Sequence, residues 1–217
     1  MNYSRHLTNP IFKIIKQESD KLNYPTFVVG RWVRDLLLNR EKDKTDIDFV
    51  CVGSGIILAQ KIAEKLGNNA KFKIFKRFGT AMIQYKNEHY EFVGARKESY
   101  RSDSRKPVIE NGTLEEDQRR RDFTINAMAI QLNQDSYGKL IDPFNGQKDL
   151  KDKILQTPLD PNITYIDDPL RMMRCIRFAT ELDFNIKEQS IESIKKNAKR
   201  IKIVSQERIT DELNKII

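Results

Sequence analysis

The sharpest chemistry in the chain is a pair of carboxylates, Asp46 and Asp48, in the segment Asp46-Ile47-Asp48-Phe49-Val50-Cys51-Val52. Its β-branched and aromatic residues predict a strand. Residues i and i+2 of a strand project from one face, roughly 6 to 7 Å apart along the chain, so the two acids converge on one spot. Such a pair suits a divalent metal. Ile47, Phe49 and Cys51 fill the opposite face, while Val50 and Val52 continue the face that bears the aspartates. Unpaired buried carboxylates are costly, so a metal or a basic partner is expected beside them. A strand edge with solvated aspartates is the plainer alternative.

A second feature precedes this strand. Thr26-Phe27-Val28-Val29-Gly30 is a short apolar strand that ends in glycine and runs directly into a helix-compatible stretch, Trp32 to Leu38. A turn of this kind presents backbone N–H groups and the positive end of a helix, which suits a triphosphate. Arg31, Arg34 and Asp35 occupy the turn and the first helical residues.

The elements that must position these groups follow from periodicity. Ile11, Ile14 and Ile15 predict an opening helix from about Pro10 to Leu22. A charged loop, Asn39 to Thr45, leads to the aspartate strand; a helix over Ile57 to Leu66 closes at Gly67, and strands follow at Phe72 to Phe78, Thr80 to Tyr85 and His89 to Val93. Gly94 to Gln118 is polar with no sustained period and reads as a mobile loop. Regular structure resumes at Phe123 to Leu132, and from Asp167 the pattern is helical, with Pro169 suited to a first turn and Asp167 or Asp168 to a cap. Strands come first and helices later, which predicts two domains.

Composition sets the partners. The 217 residues include 39 Lys+Arg against 31 Asp+Glu, a net charge of +8, with 39% hydrophobic residues. That is too much core material for a disordered basic tail, and the surplus suggests a polyanionic partner. The apolar stretches are far shorter than the roughly 20 residues a membrane span needs, and the N-terminus lacks the apolar core of a secretory signal. No membrane association and a cytoplasmic location are expected. Cys51 and Cys175 lie far apart, and His6 and His89 sit in no ligand-like spacing, so zinc sites and Cys or His nucleophiles are set aside.

Five ordered segments then point to one family. Val29-Gly30-Arg31-Trp32-Val33-Arg34-Asp35 with Asp46-Ile47-Asp48 comes first, and Arg120-Arg121-Asp122-Phe123-Thr124-Ile125-Asn126-Ala127-Met128-Ala129 second. Asp142-Pro143-Phe144-Asn145-Gly146-Gln147-Lys148-Asp149-Leu150, the stretch Asp167 to Ala179, and Ser205-Gln206-Glu207-Arg208-Ile209 complete the series. Together they resemble the motifs of the class II tRNA nucleotidyltransferases and bacterial poly(A) polymerases, over almost the whole chain. The resemblance implies an α+β/α fold class: a polymerase-β-like nucleotidyltransferase head over residues 1–148, followed by an all-helical neck domain over residues 149–217 that selects the nucleotide and binds RNA.

The same resemblance implies the chemistry. Asp46 and Asp48 would hold two Mg²⁺ for phosphoryl transfer, with Glu91 as a third acid. Nucleotide contacts would come from Gly30, Arg31, Arg34, Arg121, Asp122, Asn126, Asp168, Arg171, Arg174 and Arg177. Within that set Arg121 suits phosphate and Asp122 a ribose hydroxyl, while Asn126 holds the loop. Asp168 and Arg171, three apart at a helix start, share a face and offer an acceptor and a fork of donors to a base edge; a cap plus an ion pair is the plainer alternative. Asp167 stands where the family usually has Glu. From Arg171 to Lys202 there are nine Lys+Arg against four Asp+Glu, a charge suited to RNA phosphates.

The implied activity is template-independent addition of CMP and AMP, from CTP and ATP, to the tRNA 3′ end. A poly(A) polymerase, a CC-only or A-only enzyme, and an inactive RNA-binding fragment remain as alternatives; the oligomeric state is not indicated. Two departures stand out. Arg31 occupies a position where the family has a second glycine, which implies impaired nucleotide binding or a distorted turn. Relatives also continue past the last motif into further helical domains, so the chain reads as the head and neck of a longer protein.

Overall fold

The computed structural model describes residues 1–40, 46–101 and 104–216. In chain order the elements are α1 (Pro10–Leu22), β1 (Thr26–Val29), α2 (Arg31–Leu37), β2 (Asp46–Cys51), α3 (Gly55–Leu66), β3 (Lys71–Phe75), β4 (Thr80–Tyr85) and β5 (Glu88–Gly94). There follow β6 (Arg96–Arg101), β7 (Ser104–Asn111), α4 (Leu114–Arg119), β8 (Ala129–Gln131), β9 (Leu140–Ile141), α5 (Gly146–Asp152) and β10 (Ile154–Leu155). The chain ends with α6 (Pro161–Asp167), α7 (Leu170–Leu182), β11 (Asn185–Ile186), α8 (Glu188–Asn197) and α9 (Gln206–Leu213). Most of the charged loop expected at 39–45 lies outside the described residues.

The chain forms two compact units, and neither is a single segment. The first takes residues 1–96, 111–117 and 128–143; the second takes 97–110, 118–127 and 144–217. A linear division at 148/149 follows the chain, whereas the compact units interleave.

The first unit is built on a seven-stranded mixed sheet of order β3-β4-β5-β2-β1-β8-β9. Only β2 and β5 run parallel; the other pairs are antiparallel. One face is sealed by α1 and α3. Asn9 caps α1 by accepting from the Ile11 N–H at 3.0 Å, with Pro10 in the first turn. The helix buries Ile11, Phe12 and Ile15, and α3, capped by Ser54, buries Leu58, Ala59 and Ile62. Against them the sheet turns Ile47, Phe49, Ile83, Tyr90 and Phe92, with Phe49 stacked on Phe92 at 4.9 Å. Near β1 and β8 the other face is covered by a smaller cluster, Phe27, Val29, Val50, Ala95 and Ala129, with Leu114 of α4 packed on it. Farther along that face, Asp46, Asp48, Glu91, Lys71, Lys73 and Phe75 are exposed among the described residues.

The segment expected as a mobile loop at 94–118 has regular structure among its described residues: the hairpin of β6 and β7, which pair only with each other, and then α4. Its strands carry too many charges to show an apolar alternation. One of those charges, Glu98, has a side chain only 3% exposed and pairs with Arg120 at 3.2 Å. The start of α4 is a capping box, in which the Glu116 N–H donates to Thr113 Oγ1 and Glu116 Oε2 accepts from the Thr113 N–H.

The second unit is helical apart from that hairpin and the two-residue parallel pair of β10 and β11, a short departure from an all-helical neck. α6 packs on α8 and α7 on α9, around Leu155, Tyr165, Met172, Cys175 and Phe178. Both cysteines are buried thiols, Cys51 pushed up to about 12 and Cys175 to about 11 by desolvation. Among the described residues no helix is long and apolar enough to cross a membrane.

Phe49 touches both halves of the main core, since its ring also meets Phe12 edge-on at 6.0 Å. Phe49→Ala is expected to lower unfolding stability by about 3 to 5 kcal/mol, read as a lower urea midpoint at unchanged slope.

Candidate active site

Pairing in the sheet gathers the acids of the first unit. The parallel register of β2 on β5 sets Asp46 opposite His89 and Asp48 opposite Glu91. All four project from the open face, and with Ile47 and Met82 they line a cleft of about 210 Å³. His89 Nδ1 lies 3.2 Å from Asp46 Oδ1. The Glu91 carboxyl is raised above the ordinary glutamate range, first by desolvation and then by Asp48, with Arg96 opposing and Asp46 adding to the shift. Glu91 is thus a third carboxyl beside the aspartate pair, and Asp48 and Asp46 add negative charge to the desolvation that raises it.

That excess, and a donor set made of carboxylate oxygens, fit a hard divalent cation such as Mg²⁺, which is usually held by one or two carboxylates together with water and substrate phosphates. Among the described residues no group of three His, Cys, Asp or Glu side chains is gathered closely enough to hold a metal. Glu91 stands opposite Asp48 in the register, next to the aspartate pair.

The turn after β1 leads from the same sheet, with Val29 paired to Asp48. Gly30 has φ 70° and ψ −136°, a conformation in which a β-carbon would clash. Arg31 is simply the first residue of α2, and it is not among the residues of positive φ. The expected distortion of the turn by Arg31 is thus absent, because the unusual geometry falls wholly on Gly30. The Arg31 side chain is 56% exposed, and its Nε donates to Asp35 Oδ2 at 3.3 Å. Arg34 differs from its expected role as a nucleotide contact: it is 1% exposed and its Nε donates to Asp35 Oδ1 at 2.9 Å. It braces the turn from inside.

The remaining expected nucleotide contacts belong to the second unit. Asp122 is buried and accepts from its neighbour's backbone N–H at Phe123 (2.8 Å), from Asn126 Nδ2 (3.1 Å), from Arg174 Nε (2.9 Å) and from Arg174 Nη2. Burial raises its carboxyl, but Arg174 and Asn126, with Arg171 farther off, hold it below the ordinary aspartate range. A carboxylate so engaged anchors Arg174. Arg177 is likewise committed: its Nε donates to Glu212 Oε2 at 2.7 Å, its Nη1 to Glu181 at 3.1 Å, and its guanidinium lies 4.2 Å over the Phe178 ring. Glu212, buried on α9, also approaches Arg174 at 3.9 Å. The run of arginines on α7 is therefore in large part an internal ion-pair network and not a free phosphate-binding face.

Asp168 and Arg171 show the capping alternative in part. Asp168 Oδ1 accepts from the Leu170 N–H at 3.2 Å, and Arg171 Nη2 donates to the Arg120 carbonyl at 2.7 Å. The neighbouring Asp167 carboxyl is raised by desolvation, against the pull of Arg171. Arg121 is partly exposed. His89, Glu98 and Glu212 were absent from the expected set. All three meet their partners through tertiary pairing, which no local sequence signal gives.

Residues 26–156 match the family model described as "Poly A polymerase head domain", and residues 183–217 match one described as "Probable RNA and SrmB- binding site of polymerase A". The chain is 42% identical over 180 residues to the A-adding tRNA nucleotidyltransferase of Aquifex aeolicus, covering 83% of this chain and 21% of that protein. It is 36% identical over 206 residues to the CCA-adding enzyme of Lactobacillus helveticus, covering 93% of this chain and 48% of that protein. A crystal structure of a tRNA nucleotidyltransferase complexed with a primer tRNA and an incoming ATP analog superposes with a TM-score of 0.79 at 35% identity, over 92% of this chain and 55% of that one. The chain thus spans about a fifth to a half of the length of these relatives.

The buried Asp122–Arg174 pair generates a pH-dependent prediction. A folded pKa below the unfolded value of about 3.9 stabilises the protein fully above that value, and the contribution is lost as pH falls through the folded pKa. Asp122→Asn is expected to cost about 3 kcal/mol at pH 7, the low end for a buried pair because a third of the Arg174 side chain meets water. The gap between the two unfolding curves should close as pH drops below about 3.9.

Proposed function

The chain belongs to the family of the poly(A) polymerase head domain, and from that premise we propose that it is the catalytic front of an RNA nucleotidyltransferase that adds CMP and AMP, from CTP and ATP, to the 3′ end of tRNA. The observation that carries this reading is the aspartate pair on an exposed part of the sheet, joined through β1 to the Gly30 turn, with Glu91 opposite Asp48. A tRNA end and a triphosphate are polyanions, and a divalent cation held by the carboxylates is the charge that lets such a site bring them together. The kinship with a CCA-adding enzyme and an A-adding enzyme supports tRNA as the acceptor.

Asp46 and Asp48 would hold Mg²⁺, which when bound screens the triphosphate and favours ionisation of an attacking hydroxyl. Glu91, opposite Asp48 in the parallel register, lies where it can accept the proton of the acceptor's 3′-hydroxyl as that hydroxyl approaches. The backbone N–H groups after Gly30 would meet phosphate oxygens, while Arg34 and Asp35 brace the turn from within. In the second unit, Asp168 and Arg171 would read the base. A guanidinium has five donors, and the bond to the Arg120 carbonyl fixes its plane. Asp122, Asn126, Arg174 and Glu212 form the scaffold that holds α7 in place.

Addition of AMP alone is the second reading, favoured by the 42% identity to an A-adding enzyme. Incubating tRNA transcripts that end before CCA, or after CC, with labelled CTP or ATP separates the two: incorporation of both nucleotides supports full CCA addition, and ATP on the CC-ending transcript alone supports A addition. Incorporation is expected to require Mg²⁺ and to fall to the enzyme-free background in Asp46→Ala and Asp48→Ala. If tRNA binds but neither nucleotide is incorporated under any of these conditions, the chain acts as an RNA-binding module.

Arg31 generates a separate expectation. Its bulk and exposed side chain occupy the place where a triphosphate would approach the turn, so Arg31→Gly should lower the KM for both nucleotides several-fold at unchanged melting temperature. An unchanged KM and kcat would make position 31 a bystander.

A further inference from the structure

The edge strand β3 and the 3₁₀ turn after it read Lys71-Phe72-Lys73-Ile74-Phe75-Lys76-Arg77-Phe78, four cations without an acid. Lys71, Lys73, Phe75, Lys76, Arg77 and Phe78 are all exposed, Phe75 at 41% and Phe78 at 57%. Among the described residues none of the four cations is engaged in an ion pair; Arg77 leans over the Phe78 ring at 6.0 Å. Exposed phenylalanines at the rim of an open sheet face are unfavourable in water and need a reason.

Register connects this edge to the acids. Lys73 pairs with Met82, Met82 with Glu91 and Glu91 with Asp48, while Lys71 leads through Gln84 and His89 to Asp46. Residues opposite one another in a ladder share a face, so Lys71, Lys73 and Phe75 project from the same open surface as the carboxylates. With strands about 4.8 Å apart, Lys73 is about 10 Å from Glu91 and about 14 Å from Asp48 along the sheet. Nothing on α1 or α3 covers this side, since both helices pack on the other face.

We propose that the β3 edge is the track for the single-stranded 3′ segment of the RNA acceptor, an inference that rests on the function proposed above. Lys71 and Lys73 neutralise backbone phosphates, and Phe75 offers its ring to a base. A strand whose terminal hydroxyl reaches the carboxylates and leaves along the sheet passes over these residues. Repulsion between the acids and the RNA backbone is then offset just upstream of the reacting end. Aromatic rings interleaved with cations are the general means of holding single strands without sequence preference, as a strand end that is repeatedly lengthened requires. The competing explanation is that edge lysines only prevent strand-to-strand association.

The test uses the full chain and a fluorescein-labelled RNA minihelix with a single-stranded 3′ tail, with a blunt minihelix as comparison. Anisotropy titrations across a salt series are run on wild type, Lys71→Ala/Lys73→Ala, Lys71→Arg/Lys73→Arg, Phe75→Ala and, as a control on α3, Lys65→Ala. The double alanine variant should bind the tailed RNA about tenfold more weakly, with a salt slope smaller by about 1.4, because each phosphate contact on a single strand contributes about 0.7. The arginine pair should restore both. Phe75→Ala should lose about fivefold or more on the tailed RNA at unchanged salt slope, and Lys65→Ala should match wild type. The blunt minihelix should not distinguish the variants. If wild type binds the tailed RNA and extends it while the double alanine variant equals it in affinity and slope, the β3 track is wrong and the proposed function stands; association of that variant with itself would then assign the lysines to edge protection. If wild type neither binds nor extends the tailed RNA, the functional reading fails and this inference with it.

Discussion

The site depends on one pairing: β2 beside β5, parallel, in a sheet whose other contacts are antiparallel. Parallel neighbours need a long crossover, and here the connection runs through α3, β3 and β4 before β5 arrives. The helix in that connection seals one face of the sheet, and the two intervening strands extend the opposite one. The alternation of β2 then has a single solution. Ile47, Phe49 and Cys51 must enter the sealed core, and a slip of one residue would bury Asp46 and Asp48 in it. The hydrophobic side of the strand thus enforces the position of the acids, and Glu91 arrives beside them because Tyr90 and Phe92 are held by the same core.

The second unit solves a different problem. Helix α7 carries three arginines at successive turns, which would repel one another if they lay bare along the same side. Asp122 and Glu212 supply the compensating charge from segments before and after the helix, and Phe178 provides a ring under two of the guanidiniums. Rigid arginines are expensive to assemble but well suited to holding a neighbouring surface in one geometry. The basic surplus that can meet a polyanion is correspondingly smaller on α7 than the count of residues suggests, and it shifts toward exposed lysines such as Lys195, Lys196, Lys199 and Lys202.

Much of this was legible in the sequence where a local rule applied. The aspartates on one face of a strand, the glycine between β1 and α2, and the opening helix from Pro10 to Leu22 are all decided by near neighbours, and they stand as the spacing predicts. Legibility ended where burial decides. An arginine at the start of a helix looks the same whether it meets solvent, as Arg31 does, or lies inside, as Arg34 does. Asp122 looks like a ligand until Arg174, distant in the chain, is found against it. The β6–β7 hairpin has no apolar alternation, and the proximity of His89 to Asp46 follows from a parallel register that no short window contains.

The Gly30 turn has an evolutionary consequence. All of its backbone strain is concentrated at one residue, so the next position is conformationally ordinary and accepts a long side chain at the start of α2. Position 31 lies on ordinary helical backbone with its side chain 56% exposed, so a substitution there puts the Arg31–Asp35 ion pair at stake and not the geometry of the turn. Where substitutions usually draw on stability, this position can change in the course of evolution at little cost to the backbone.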